Sequence, residues 1–161
     1  MEVWLSGPVE GIPQLLMPAA HALLQVREDL PRLLEGLTPE QIWARPGQSA
    51  SIGYHAVHLA GATERLMTYA AGAQLSDAQI TDLKNEKQLT GLDAGELVAR
   101  VNRAIDAALE QMRRTDPSTL TDAREVGRQR LPSNVLGLIF HAAEHAARHA
   151  GQIATLRRGV S

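Results

Sequence analysis

The chain has 161 residues, with 16 basic and 18 acidic side chains, a formal net charge of −2 and only 3% aromatics. That combination supplies neither a basic phosphate-binding face nor stacking platforms, which argues against nucleic acid as a partner. With 44% hydrophobic and 21% charged residues and no cysteine, the composition is that of a single soluble domain over 1–161 with an aliphatic core; disulfides, thiolate metal sites and a cysteine nucleophile are excluded, so a transition metal must rest on the six histidines and the carboxylates.

The chain opens MEVWLSGPVEG, without a basic start or an apolar run of signal-peptide length, and nowhere do about 18 apolar residues run together, so no membrane partner and a cytoplasmic location are expected. After this lead-in, Leu16, Ala19, Leu23, Val26, Leu30, Leu33 and Leu37 fall three and four apart and predict a first amphipathic helix. Pro18 and Pro31 predict a late start or a kink, and Gly36 its end. Residues 38 to 50 contain Pro39, Pro46 and Gly47 and read as a connection in which Thr38 and Gln41 could cap a short turn of helix.

A second helix is predicted from Ser51, its N-cap, to Ala71, with Ile52, His55, Leu59, Ala62, Leu66 and Tyr69 on one stripe and His58 beside it. Some twenty polar, weakly periodic residues follow, a long connection with room for a short helix, which lets the second and third long helices lie parallel. Asp93 and Glu96 form a capping-box pattern, and Leu97, Val101, Ile105, Ala108 and Met112 carry a third helix to about Asp116. Residues 120 to 131 fit a loop or a short extended piece. A fourth helix is predicted from Ser133, as N-cap, to Arg158, ended by Gly159. The fold class is therefore all-α, a four-helix bundle with a long connection between helices 2 and 3.

The fourth helix carries the chemistry. Its inner stripe reads Leu138, Ala142, His145, His149, Gln152 and Leu156, so two seam positions are histidine. Residues four apart share a helical face about 6 Å apart along the axis, a spacing from which two imidazoles can grip one cation. Helix 2 offers His55 or His58 as a third ligand, and three histidines with an open position are a catalytic type of zinc geometry. Helix 2 centres near residue 61 and helix 4 near 145, so antiparallel packing sets His58 opposite residues 148 and 149, and parallel packing sets it nearer 143. The spacing is equally open to a second reading, a set of polar core histidines bonded to one another. His141, one turn before His145, and His55 are candidates to orient ligands, line a pocket or substitute as ligands. Glu144 could act as general base, although with Arg148 it fits a surface ion pair better. Gln152 and Gly151 read as structural, and His21 lies off the first stripe. Neither Glu-x-x-His nor His-Glu-x-x-His occurs, which disfavours di-iron and metalloprotease sites and leaves a mononuclear one.

The segment PSNVLGLIFHAAEHAARHAGQIATLRR, residues 132 to 158, with its H-x-x-x-H-x-G-Q ending, resembles the last helix of the DinB/YfiT-like metalloenzyme superfamily. SIGYHAVHLAGATERLMTYAAG, residues 51 to 72, resembles that family's second helix, in which the histidine of a His-Leu/Ile-Ala-Gly string supplies a ligand; here that is His58. The lead-in PVEGIPQLLMPAAHALLQ is similar to the family's start. The resemblance implies a bundle in which His58, His145 and His149 hold one divalent metal, zinc or nickel before iron or manganese, often in a homodimer. It further implies a small-molecule substrate and a transferase or isomerase using a low-molecular-weight thiol. Metal-assisted hydrolysis, and a metal- or ligand-binding protein without turnover, are the alternatives.

Overall fold

The computed structural model describes residues 2–160. Six α-helices and one β-hairpin are present among them: α1 (Met17–Leu34), α2 (Pro39–Trp43), α3 (Ile52–Ala70), α4 (Asp77–Asn85), α5 (Ala94–Arg114), β1 (Ala123–Val126), β2 (Leu131–Asn134) and α6 (Val135–Val160). The four long helices α1, α3, α5 and α6 are the four read from the apolar stripes.

Local chemistry sets most boundaries. Pro18 sits in the first turn of α1, where a missing N–H costs nothing, and Pro31 lies inside the helix, which starts at Met17 and continues past it to Leu34. Ser51 caps α3 by accepting from the Tyr54 amide at 3.1 Å. Full capping boxes start α2 (Thr38, Gln41), α4 (Ser76, Gln79) and α5 (Asp93, Glu96). The undecided residues 120 to 131 contribute most of an antiparallel hairpin pairing Ala123 with Asn134 and Val126 with Leu131. One expectation fails here: Ser133 belongs to β2, and the cap of α6 is Asn134, whose Oδ1 accepts from the Gly137 amide at 2.7 Å. The helix also continues through Gly159 to Val160.

Packing goes round a ring, α1 on α6, α6 on α3, α3 on α5 and α5 on α1. His55 meets His149 and His58 meets His145, so α3 and α6 are antiparallel. Trp43 lies against Gly53 at the start of α3 and donates to the Leu92 carbonyl just before α5, while Gln111 near the end of α5 donates to the Met67 carbonyl near the end of α3; these two helices are parallel, as the long connection predicted. Arg27 pairs with Asp106 and Arg113 donates to the Glu10 carbonyl, which makes α1 antiparallel to α5. It follows that α1 and α6 are parallel, and Arg157 of α6 donates to the carbonyls of Arg32, Leu33 and Glu35 at the end of α1.

The core is aliphatic, as the composition required. Leu23, Leu30, Leu59, Leu97, Ile105, Met112, Ile139 and Ile153 are among its fully buried side chains. On α6 the buried stripe is Val135, Leu138, Ile139, Ala142, Ala143, Ala146, Ala150 and Ile153. Gln152, expected on that stripe, is exposed, and His145 and His149 lie along its edge, half-buried. The histidines are thus neither sealed in the core nor out on the surface. Among the described residues no helix is long and apolar enough to cross a membrane.

Candidate metal centre

Antiparallel packing of α3 on α6 turns two sequence-local patterns into one cluster. His145 and His149 present adjacent rings on α6, with centroids 4.5 Å apart, and His58 on α3 faces both, at 5.2 and 4.9 Å. One ring nitrogen from each of the three lies within 4.8 Å of the other two, a span that a single cation can bridge. His55 adjoins the group through a contact between its Nδ1 and His149 Nδ1 at 2.9 Å.

The electrostatics suit ligands. Burial, followed by the neighbouring His58 and His141, pulls His145 down to about 4, and burial followed by His145, His58 and His55 pulls His149 down to about 4. Both imidazoles are therefore neutral near pH 7 and carry a free lone pair. Burial, then His58, also lowers His55, so its contact with His149 is a neutral bond in which one ring donates and the other accepts.

His145 Nδ1 is buried and has no hydrogen-bond partner. An unmet buried polar atom is costly in a native fold, and this one lies on a ring of the cluster. The donor set is three imidazole nitrogens with no carboxylate among them, which suits borderline divalent metals such as zinc or nickel and not calcium or magnesium. The residues present therefore fit a transition metal.

A buried carboxylate absent from the sequence expectations supports the cluster. Glu86, in the turn after α4 and only 4% exposed, meets His58 Nδ1 at 2.8 Å and accepts from Arg65 Nη1 at 2.5 Å. Burial pushes the Glu86 carboxyl up, but the bonds from His58 and Arg65 outweigh it and leave the group below the usual carboxylate range. A charged Glu86 fixes the His58 proton on Nδ1 and turns Nε2 toward a ligand, the arrangement that commonly orients histidines at metal sites. Gly61 makes room for this: a Cβ there would lie 2.4 Å from Glu86 Oε1 and 2.7 Å from Arg65 Nη1. The signal was present in α3, where Gly61 and Arg65 follow His58 by three and seven residues and so share its face. An inward arginine there requires an acid, but nothing local says which one. Tyr54, also unforeseen, stacks on His58 with centroids 5.6 Å apart and planes 7° apart.

The other candidates fall elsewhere. Glu144 is held at the surface by Arg148, with His141 Nδ1 at 3.1 Å from its second oxygen. The Arg148 hydrogen bond keeps its carboxyl below the ordinary value, with the charges of Arg148 and His141 adding to that. His141 sets its ring 5.6 Å from His145 but is itself exposed. His21 contacts the Gly7 carbonyl at 2.9 Å and takes no part in the cluster.

Comparison with known proteins agrees with this architecture. The structure is similar to that of YfiT from Bacillus subtilis, described as a probable metal-dependent hydrolase with an unusual four-helix bundle topology. The TM-score is 0.63 at 16% identity, covering 96% of this chain and 94% of that one, which establishes a shared fold. No curated protein matches the sequence. The profile of the DinB superfamily matches residues 22–153, from within α1 to the last turns of α6 and so across all three clustered histidines; the chain belongs to the DinB superfamily.

Proposed function

We propose that His58, His145 and His149 hold one divalent metal ion, zinc or nickel before iron or manganese, and that the protein is a metal-dependent enzyme acting on a small molecule. The observation that carries this is the convergence of three histidine ring nitrogens within 4.8 Å at a half-buried seam. When bound by three neutral imidazoles, the metal keeps its full charge and supplies Lewis acidity that lowers the pKa of a thiol or water nucleophile.

The chain's own groups do the rest. Glu86 accepts the His58 Nδ1 proton and holds that ring in one tautomer, and Arg65 fixes Glu86. His55 takes or gives the single proton shared with His149 and so holds the second ring. The position of the histidines at the edge of the α6 core stripe leaves one side of the cluster open to a substrate.

The first reading of the reaction is transfer using a low-molecular-weight thiol. A second, metal-assisted hydrolysis, is favoured by the description of YfiT as a probable metal-dependent hydrolase. A binding protein without turnover is the remaining alternative. We further propose a single domain over 1–161, a cytoplasmic location and a homodimer. The homodimer is supported by a groove of about 820 Å3 between α1 and α6, floored by Ala22, Val26, Ala150 and Ala154, beside a Trp4 that is 62% exposed.

The test is metal content by mass spectrometry after purification without a metal column, repeated after chelation and reloading. One equivalent per chain is expected in the wild type, and none in His58→Ala, His145→Ala or His149→Ala, with His21→Ala unchanged. Full retention in any of the first three would remove that residue from the ligand set. Assays of loaded protein with and without added thiol then separate transfer from hydrolysis.

A further inference from the structure

Next to the histidine cluster, a cavity of about 260 Å3 lies between the α2–α3 connection and the turn after α4. Trp43 and Leu89 form its apolar wall, Arg45 and Lys87 bring two positive charges to it, and no carboxylate lines it. The acid nearest in sequence, Glu86, is already bonded by Arg65 and His58. Arg45 uses only its Nε, donating to the Ser49 carbonyl at 3.3 Å, which leaves its two terminal nitrogens available. Among the described residues neither Arg45 nor Lys87 forms an ion pair with a carboxylate of the chain. Two cations in one acid-free cavity repel each other and attract an anion.

Tyr54 ties this cavity to the cluster, since its residue lines the cavity while its ring lies flat on His58. We propose that the cavity is the subsite for the carboxylate end of a small substrate with a short apolar stem. The Arg45 guanidinium and the Lys87 ammonium receive the carboxylate, the first through its paired N–H groups and the second as a point charge. Trp43 and Leu89 cover the stem. The placement beside the reacting centre rests on the metal reading above, but the binding step needs no metal, so the two ideas fail separately.

The test uses the full-length chain with Trp4→Phe, so that Trp43 is the sole tryptophan fluorophore, in both metal-free and zinc-loaded forms. The probes are 3-phenylpropionate and its uncharged amide, 3-phenylpropanamide, each titrated against Trp43 emission. An exposed charge pair contributes up to about 1 kcal/mol, or about fivefold in affinity. With two such charges the acid is therefore expected to bind up to about 25-fold more tightly than the amide in both forms. Arg45→Gln and Lys87→Gln should each weaken the acid about fivefold and leave the amide alone, and together they should abolish the preference with zinc stoichiometry unchanged. Equal affinities for acid and amide, or a preference that survives in the double variant, overturns the assignment. If the double variant does not fold, the two single variants decide the matter by the same measure. Failure of the wild type to hold zinc, nickel, iron or manganese on reloading, with the acid preference intact, would defeat the metal reading and leave this one standing.

Discussion

The seam between α1 and α5 and the seam between α3 and α6 are built to opposite specifications. On α5 the inward face is Leu97, Val101, Ala104, Ile105, Ala108, Leu109 and Met112, all buried and all apolar. On α6 half of the buried residues are alanine, and two histidines run along the edge of that stripe toward a third on α3. The first seam is mainly apolar and supplies stability; the second gives up apolar burial to bring titratable groups together, with His145 Nδ1 left without a partner. Sites that break the local rules of a good core are where function is to be sought, and the three histidines that converge do so in one of the two seams.

Substitution in the aliphatic seam should produce the largest effect on folding and none on the metal. Ile105→Ala is expected to cost about 2–5 kcal/mol in denaturant unfolding, because it empties a fully buried site, while metal stoichiometry stays at wild-type level. A loss of metal at constant stability would show that the seams are not separable. In the polar seam the order reverses. Glu86→Gln keeps the shape but removes the charge that holds the His58 proton, and metal affinity should fall by about 10- to 100-fold. An affinity within about twofold of wild type in a chelator competition would show that Glu86 serves only the fold.

Acidity sharpens the same contrast. His145 and His149 are depressed to about 4 from an ordinary 6.5, so below 6.5 the unfolded chain binds protons that the folded chain does not. The stability that these groups leave intact above pH 6.5 is therefore lost as pH falls toward 4. Metal-free protein should show a falling melting temperature over that window, and His145→Ala with His149→Ala should flatten the fall. A profile unchanged in the double variant would place the acid sensitivity elsewhere. The smallest effect is expected at Glu144→Gln, where the carboxylate belongs to a surface cluster with Arg148 and His141; metal affinity should change less than about twofold by the same competition.

The long helices were legible because a 3.6-residue period survives in any sequence that buries one face, and Asp93 with Glu96, or the N-cap Ser51, marks its own start. His145 and His149 were legible as a pair for the same reason, as helical neighbours. His58 could be separated from His55 only by resemblance to a family, since both lie on the inward half of α3; the structure sets His58 against both partners and His55 against His149 alone. Glu86 was not legible at all. It sits in an aperiodic turn, 28 residues from His58, and only tertiary packing brings it there. The cap of α6 was misplaced by one residue because Ser133 and Asn134 are both good caps and both lie in β2; α6 starts directly after Asn134, and it is the Asn134 side chain that takes the Gly137 amide.

The parallel course of α1 and α6 has an electrostatic cost. Each helix carries a partial negative charge at its C-terminal end, and the parallel arrangement sets two such ends side by side, where antiparallel neighbours would have set opposite signs together. Arg157 lies at that junction and spends its guanidinium on three carbonyls of the neighbouring helix end, while Arg158 adds a second positive charge in the last turn of α6. One side chain thus works as the C-terminal cap of a helix to which it does not belong. This helix order is tolerated because the last turn of α6 carries the counter-charge that the order demands.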